Sequence, residues 1–151
     1  MIKAIIVEQA EDRTVSAAIQ EIETSQLPDD GDVDIAVEYS NINYKDGLCL
    51  NGLGGLVRNY PHVPGIDFAG EVTASRDPNF KPGDKVIMGG QRGGEVRWGG
   101  YATMASEQSL RLVHLPAGMT TRESQMLGTA GFTAMQAIMR LEANGMTPEG
   151  G

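Results

Sequence analysis

One thiol and two imidazoles make up the soft-ligand inventory of this 151-residue chain: Cys49, His62 and His114. A structural zinc centre takes four thiolate or imidazole ligands, and a catalytic one usually three protein ligands. Cys49, His62 and Asp67 could supply three. Yet Cys49 stands between Leu48 and Leu50, and His62 sits within Tyr60-Pro61-His62-Val63-Pro64. Those contexts suit a small buried cysteine and a turn histidine better than a ligand set. Nothing marks a third group to orient a Cys/His nucleophile pair either. No metal site is expected.

Two other segments carry chemistry more credibly. In Ser40-Asn41-Ile42-Asn43-Tyr44-Lys45-Asp46 the last four residues all bear hydrogen-bonding side chains. They follow a strand, and a strand end presents polar groups rigidly. The competing reading is an ordinary Asn/Asp turn with a helix cap. In Pro64-Gly65-Ile66-Asp67-Phe68-Ala69-Gly70-Glu71-Val72, Asp67 is an acid between Ile66 and Phe68. A carboxylate in apolar surroundings must be paired or shift its pKa. That placement suits a site, and equally a structural Asp bonded to backbone amides. Arg92 and Arg97 flank Gly93-Gly94 and could offer guanidinium groups to an anionic substrate.

The glycine-rich stretches 51–55 and 89–94 do not follow a strand and open a helix, as a dinucleotide fingerprint requires, and no Walker-type lysine follows them. A dinucleotide phosphate site is therefore not encoded here. The net charge of -8 argues against nucleic acid or an anionic membrane, because phosphate polymers need a positive surface. Residues 1–38 hold ten acids and two bases, so the excess lies wholly in that quarter. It reads as a solvated face or, alternatively, an acidic docking surface. No apolar run approaches the ~18–20 residues of a membrane span, and one cysteine makes no internal disulfide. A cytoplasmic protein with reduced thiols is expected.

The positioning elements are mostly strands. Met1–Val7 is a short apolar run, and Val15, Ala17 and Ile19 alternate with more polar neighbours. After a turn at 27–32, Val33, Ile35, Val37 and Tyr39 alternate with Asp34, Ala36, Glu38 and Ser40, the period of a half-buried strand. Further strands are expected at 66–75 and 84–88, joined through a Lys81-Pro82-Gly83-Asp84 turn, and shorter ones near 100–106 and 111–115. Many short strands punctuated by Gly and Pro indicate a barrel or sandwich. Beyond Pro116-Ala117-Gly118, Thr120 or Thr121 can N-cap a helix with Glu123 and Ser124 in its first turn. Phe132, Met135, Ile138 and Met139 stripe a second helix, with Gly131 as the expected divider. Residues 147–151 read as a turn. Such a stripe must lie against something, which suggests a second domain after residue 151.

Asn41-Ile42-Asn43-Tyr44-Lys45-Asp46, Arg58-Asn59-Tyr60-Pro61, Pro64-Gly65-Ile66-Asp67-Phe68-Ala69-Gly70, Phe80-Lys81-Pro82-Gly83-Asp84-Lys85-Val86 and Gly128-Thr129-Ala130-Gly131-Phe132-Thr133-Ala134 together resemble the medium-chain dehydrogenase/reductase superfamily, and within it the acrylyl-CoA reductase branch, first grouped with the quinone oxidoreductases. The resemblance runs the length of the chain. It implies a mainly β fold with C-terminal helices: a GroES-like, partly open β-barrel over 1–119, then helices over 120–151 leading toward a Rossmann domain absent from this chain. Zinc-dependent members carry Gly-His-Glu where this chain has Gly65-Ile66-Asp67, so the resemblance also implies a zinc-independent enzyme.

The implied reaction is NADPH-dependent 1,4-reduction of an α,β-unsaturated CoA thioester such as acrylyl-CoA to propionyl-CoA. Carried over by position, Asn43, Tyr44 and Asp67 are the catalytic residues, with Asp67 orienting donors rather than acting as a base. Tyr44 and Thr129 contact the cofactor. The complete form is expected to be a homodimer, and the 151 residues alone to be inactive. A quinone or general enone reductase of the same superfamily is the alternative enzyme. A stand-alone GroES-like module without chemistry is the alternative outside enzymes.

Overall fold

The computed structural model describes residues 1–148. Seven strands and two helices follow in the order β1 (Ile2–Gln9), β2 (Val15–Ile22), β3 (Val33–Ser40), α1 (Tyr44–Leu50), β4 (Asp67–Ser75), β5 (Lys85–Gly89), β6 (Met104–Glu107), β7 (Leu112–His114) and α2 (Thr121–Glu142). The alternation read in 33–40 is realised at its start. Val33 and Ile35 are fully buried while Asp34 and Ala36 are half-buried on the other face.

The named strands all pair antiparallel. β1 and β2 form a two-stranded ribbon from Ile2↔Ile22 to Gln9↔Val15, and the other strands form a sheet in the order β6-β3-β4-β5-β7. The β3–β4 register slips at Asp34/Ile35 and at Val37/Tyr39, irregularities that bend a strand. Gly70 lies within this stretch, and a Cβ there would stand 2.1 Å from the Ala36 carbonyl oxygen. The ribbon meets the larger sheet where Ile5 N–H donates to the Tyr101 carbonyl (2.8 Å) and Thr103 N–H to that of Lys3 (2.9 Å). The result is an open, partly closed barrel.

Two apolar clusters fill it. Val33, Ile35, Phe68, Val72, Val86, Met88, Ala105 and Leu112 pack inside the five-stranded sheet, with Phe80 at the edge. Ile2, Ala4, Ile6, Ile22 and Val63 form the second, with Trp98 and Tyr101 against it. Burying one such aliphatic side chain contributes roughly 1.5–3 kcal/mol. These clusters hold still the β4 and β5 ends that carry the site.

Two expectations change. The strand anticipated near 100–106 begins only at Met104, because residues 101–103 bond to β1 instead. Residues 44–50 form a short helix with Asn43 as its N-cap, in keeping with the helix cap read there. The divide in the C-terminal helices falls at Gly128 (φ 51°, ψ -162°), whereas Gly131 is helical. Thr120 caps α2 as anticipated: its hydroxyl accepts from Glu123 N–H (3.2 Å) while Glu123 Oε2 accepts from Thr120 N–H (2.8 Å). The striped residues Phe132, Met135, Ile138 and Met139 are exposed. The turn anticipated at 147–151 lies partly outside the described residues. Among the described residues no helix is long and apolar enough to cross a membrane.

Candidate active site

Asp67 opens β4 and is fully buried. Its Oδ1 accepts from Gly90 N–H (2.9 Å) and from the Thr129 hydroxyl (2.5 Å). Its Oδ2 accepts from Thr129 N–H (2.8 Å) and Asn43 Nδ2 (3.1 Å). Two donors on each oxygen match the capacity of a carboxylate, about four lone-pair sites. One buried anion thus ties together the end of β3, the turn after β5 and the middle of α2.

The break in α2 exists to serve this clamp. A continuous helix would commit Thr129 N–H to a carbonyl four residues back. At Gly128 the backbone turns out of the helical region, and that N–H points at Asp67 instead, so the carboxylate caps the segment beginning at Thr129. Only glycine fits: a Cβ would lie 2.0 Å from Asn41 Nδ2 and 2.9 Å from Asp67 Oδ2. The freed carbonyl of Gln125 accepts from Asn41 Nδ2 (3.1 Å).

A second buried carboxylate, Asp46, supports the first. Its Oδ2 accepts from Asn43 N–H (2.7 Å), closing the first turn of α1, and its Oδ1 accepts from Ile66 N–H (2.9 Å), beside Asp67. Asn43 Nδ2 donates both to Asn41 Oδ1 (2.6 Å) and to Asp67, so both its amide protons are committed. The Tyr101 hydroxyl donates to the Asn41 carbonyl (3.0 Å). Burial, reinforced by the Asp46 charge, pushes that phenol above its ordinary pKa, so it stays a neutral donor.

The structure therefore brings Asn43, Asp67 and Thr129 into one hydrogen-bonded unit. Tyr44 stands apart from it at the start of α1, 84% exposed, its side chain making no hydrogen bond among the described residues. Asn43 and Tyr44 border a cleft of about 620 Å³ whose wall includes Leu48, Leu50 and Leu53. Gly128 and Thr129 border another of about 850 Å³, walled by Ile87, Val113, Phe132 and Ile138. The spacing Asn43-x-x-Asp46, a capping pattern, was the available signal for Asp46. Asn41, Gly90 and Gly128 carried no separate signal of their roles.

The other candidates are committed elsewhere. His62 Nε2 pairs with the Gly94 carbonyl (2.8 Å), and burial lowers its pKa against the effect of that bond. Burial, with the Asp46 and Glu95 charges, pushes the Cys49 thiol up to about 11. Among the described residues no three His, Cys, Asp or Glu side chains are grouped to hold a metal ion. Arg97 donates to the buried Glu107 (3.2 Å). Arg92 remains exposed.

Comparison with known proteins fits this geometry. The family of the alcohol dehydrogenase GroES-like domain matches residues 29–148. The acrylyl-CoA reductase AcuI of Ruegeria pomeroyi is 52% identical over 98% of this chain, which covers 45% of that protein. The putative quinone oxidoreductase YhfP of Bacillus subtilis is 47% identical over 91% of the chain and is covered to 41%. The chain thus spans less than half the length of these relatives. The yhdH oxidoreductase of Salmonella enterica, solved in complex with NADP, superposes with a TM-score of 0.93 at 46% identity, covering 97% of this chain and 45% of that one. The fold, the cluster of amide, carboxylate and hydroxyl groups, and these similarities place the chain in the medium-chain dehydrogenase/reductase superfamily, as a GroES-like domain of its acrylyl-CoA reductase and quinone oxidoreductase relatives.

Proposed function

We propose that this chain is the substrate-handling half of an NADPH-dependent acrylyl-CoA reductase. When bound, NADPH supplies a hydride to the β-carbon of the enoyl thioester and leaves as NADP⁺. The residues present fit such a group. Thr129 is half-buried at the edge of the larger cleft, and Gly89 and Gly90 leave its hydroxyl uncovered, since a Cβ at Gly90 would come within 3.3 Å of Oγ1. The Thr129 proton is committed to Asp67, so toward the cleft the oxygen can only accept. Thr129 is the cofactor contact on this reading.

Hydride arrival at the β-carbon moves an electron pair through the former double bond onto the thioester oxygen, giving an enolate. A proton from solvent then adds to the α-carbon to complete propionyl-CoA. Asp67 only accepts, from four donors, and so offers no proton, and both amide protons of Asn43 are already committed. Their part is to hold one another and Thr129 in place. The one candidate residue with an uncommitted proton is Tyr44, and that observation carries the proposal. Its phenol is the donor to the developing enolate, a kind of contact whose removal typically costs ~3–4 kcal/mol of barrier.

The test joins these residues to the portion of the Ruegeria pomeroyi reductase beyond the match. The hybrid is expected to consume NADPH when given acrylyl-CoA, and the 151 residues alone to give no turnover. A hybrid that is folded and binds NADPH yet leaves acrylyl-CoA unreduced contradicts the proposal. The similarity to a protein named as a putative quinone oxidoreductase supports a second reading, reduction of a free quinone. A higher kcat/KM on a quinone than on acrylyl-CoA selects it.

A further inference from the structure

Glu95 is almost wholly buried, with 5% of its side chain exposed, and two cations flank it. Lys45 Nζ lies 2.8 Å from Oε1, and Arg92 Nε lies 3.9 Å from Oε2. The two cations are 52% and 60% exposed. One carboxylate against two cations leaves a surplus positive charge. It stands out in a chain of net charge -8, and it contrasts with Arg97, only 15% exposed beside Glu107.

Lys45 hydrogen-bonds Glu95 through Oε1, whereas Arg92 stays beyond hydrogen-bond distance of Oε2 and keeps its guanidinium protons free of that carboxylate. Arg92 is nonetheless held in a strained place. It and Gln91 have φ of 67° and 47°, a region that side-chain-bearing residues seldom adopt. The segment is pinned at both ends: Gly90 N–H to Asp67, and the Gly94 carbonyl to His62. Arg111 Nη1 donates to the Gln91 carbonyl (2.7 Å). Lys45 directly follows Tyr44, which borders the smaller cleft, and Arg92 directly follows Gln91, which borders the larger.

We infer that Lys45 and Arg92, braced on Glu95, form an anion-docking pair for a phosphoryl group of a ligand bound at the proposed active site. The inference rests on the reductase reading for its ligand. Lys45 keeps ammonium protons beyond the one donated to Glu95, and Arg92 presents an exposed guanidinium, the fork that matches phosphoryl oxygens. Two sources share this chemistry: the diphosphate of a CoA thioester, and the phosphates of the dinucleotide.

Binding of coenzyme A and, separately, of NADPH to the hybrid protein at low ionic strength tests the pair, using Arg92→Gln and Lys45→Ala/Arg92→Gln. Arg92→Gln leaves Glu95 its lysine and so preserves the fold, which a melting curve checks. Arg122→Ala serves as a charge-matched control on α2. A roughly three- to tenfold loss of coenzyme A affinity in Arg92→Gln, larger in the double variant and absent in the control, supports docking of the thioester substrate. The same pattern on NADPH alone supports the pair with the dinucleotide as source. Unchanged affinity for both ligands overturns it, as does an equal loss in Arg122→Ala. Failure of acrylyl-CoA to be reduced by the unmodified hybrid counts against the reductase reading, not against docking, because the binding measurements involve no turnover.

Discussion

Asp67 and Thr129, 62 positions apart, meet through two hydrogen bonds from one residue: the amide of Thr129 donates to Oδ2 at 2.8 Å and its hydroxyl to Oδ1 at 2.5 Å. This double bond of contacts fixes where α2 breaks and which way the threonine oxygen faces. Asp67→Asn preserves shape and removes charge, yet each carboxylate oxygen already accepts two donors. Whichever way the amide is turned, its NH₂ meets N–H or O–H groups. A loss of about 2–4 kcal/mol in urea denaturation is expected, with Asp67→Glu also unable to restore the clamp because its carboxylate is displaced.

The position of the break is itself testable. Gly128→Ala places a methyl group against the Asn41 amide at a backbone conformation that only glycine adopts readily. It should cost about 2–3 kcal/mol. Gly131→Ala, at a helical glycine whose nearest neighbour is Leu127 Cβ at 3.2 Å, should stay within about 1 kcal/mol of the parent. Equal effects in thermal melts would place the break elsewhere.

His62 gives the pH dependence a sign. Burial depresses its pKa below 6.5, so the unfolded chain binds its proton more readily than the folded one. Its contribution is complete above about 6.5 and is lost as pH falls through and below that value. Stability of the parent should therefore drop more steeply than that of His62→Gln between pH 7.5 and pH 5.5 by denaturant midpoints. Parallel curves would show that His62 is not the group responsible.

Cys49 runs the other way. With its thiol raised to about 11, the thiolate is scarce at neutral pH, and the residue is buried. Ellman's reagent at pH 8 should label the native chain far more slowly than the urea-unfolded chain. Comparable rates would show the thiol to be accessible.

Much of this architecture was legible because it is local. The alternation in 33–40 announces β3, and Thr120 with Glu123 announces the start of α2, since strand period and capping depend on residues a few places apart. The clamp was only half legible. Asp67 between Ile66 and Phe68 showed that a buried carboxylate needed partners, but not that they would be Gly90, Asn43 and Thr129. Gly131 was the divide expected from sequence, and the break falls at Gly128 instead because of a carboxylate brought in from β4. The commitment of both Asn43 amide protons likewise depended on Asn41 and Asp67 converging, which only the fold determines.

Tyr44 carries the chemical argument, and being 84% exposed it can lose its hydroxyl without disturbing the core. In the hybrid enzyme, Tyr44→Phe should melt like the parent, lower kcat on acrylyl-CoA by about a hundredfold or more, and leave KM little changed. An unaltered kcat would remove Tyr44 from the chemistry.

The most direct test of conjugate reduction follows the hydride. The hybrid enzyme is given acrylyl-CoA and NADPH deuterated at nicotinamide C4, on each face in turn, and the thioester is analysed by mass spectrometry and NMR. Propionyl-CoA carrying one deuterium on its β-carbon, from one face only, is the predicted product. Deuterium at the α-carbon, or oxidation of NADPH without any label in the thioester, would contradict the account.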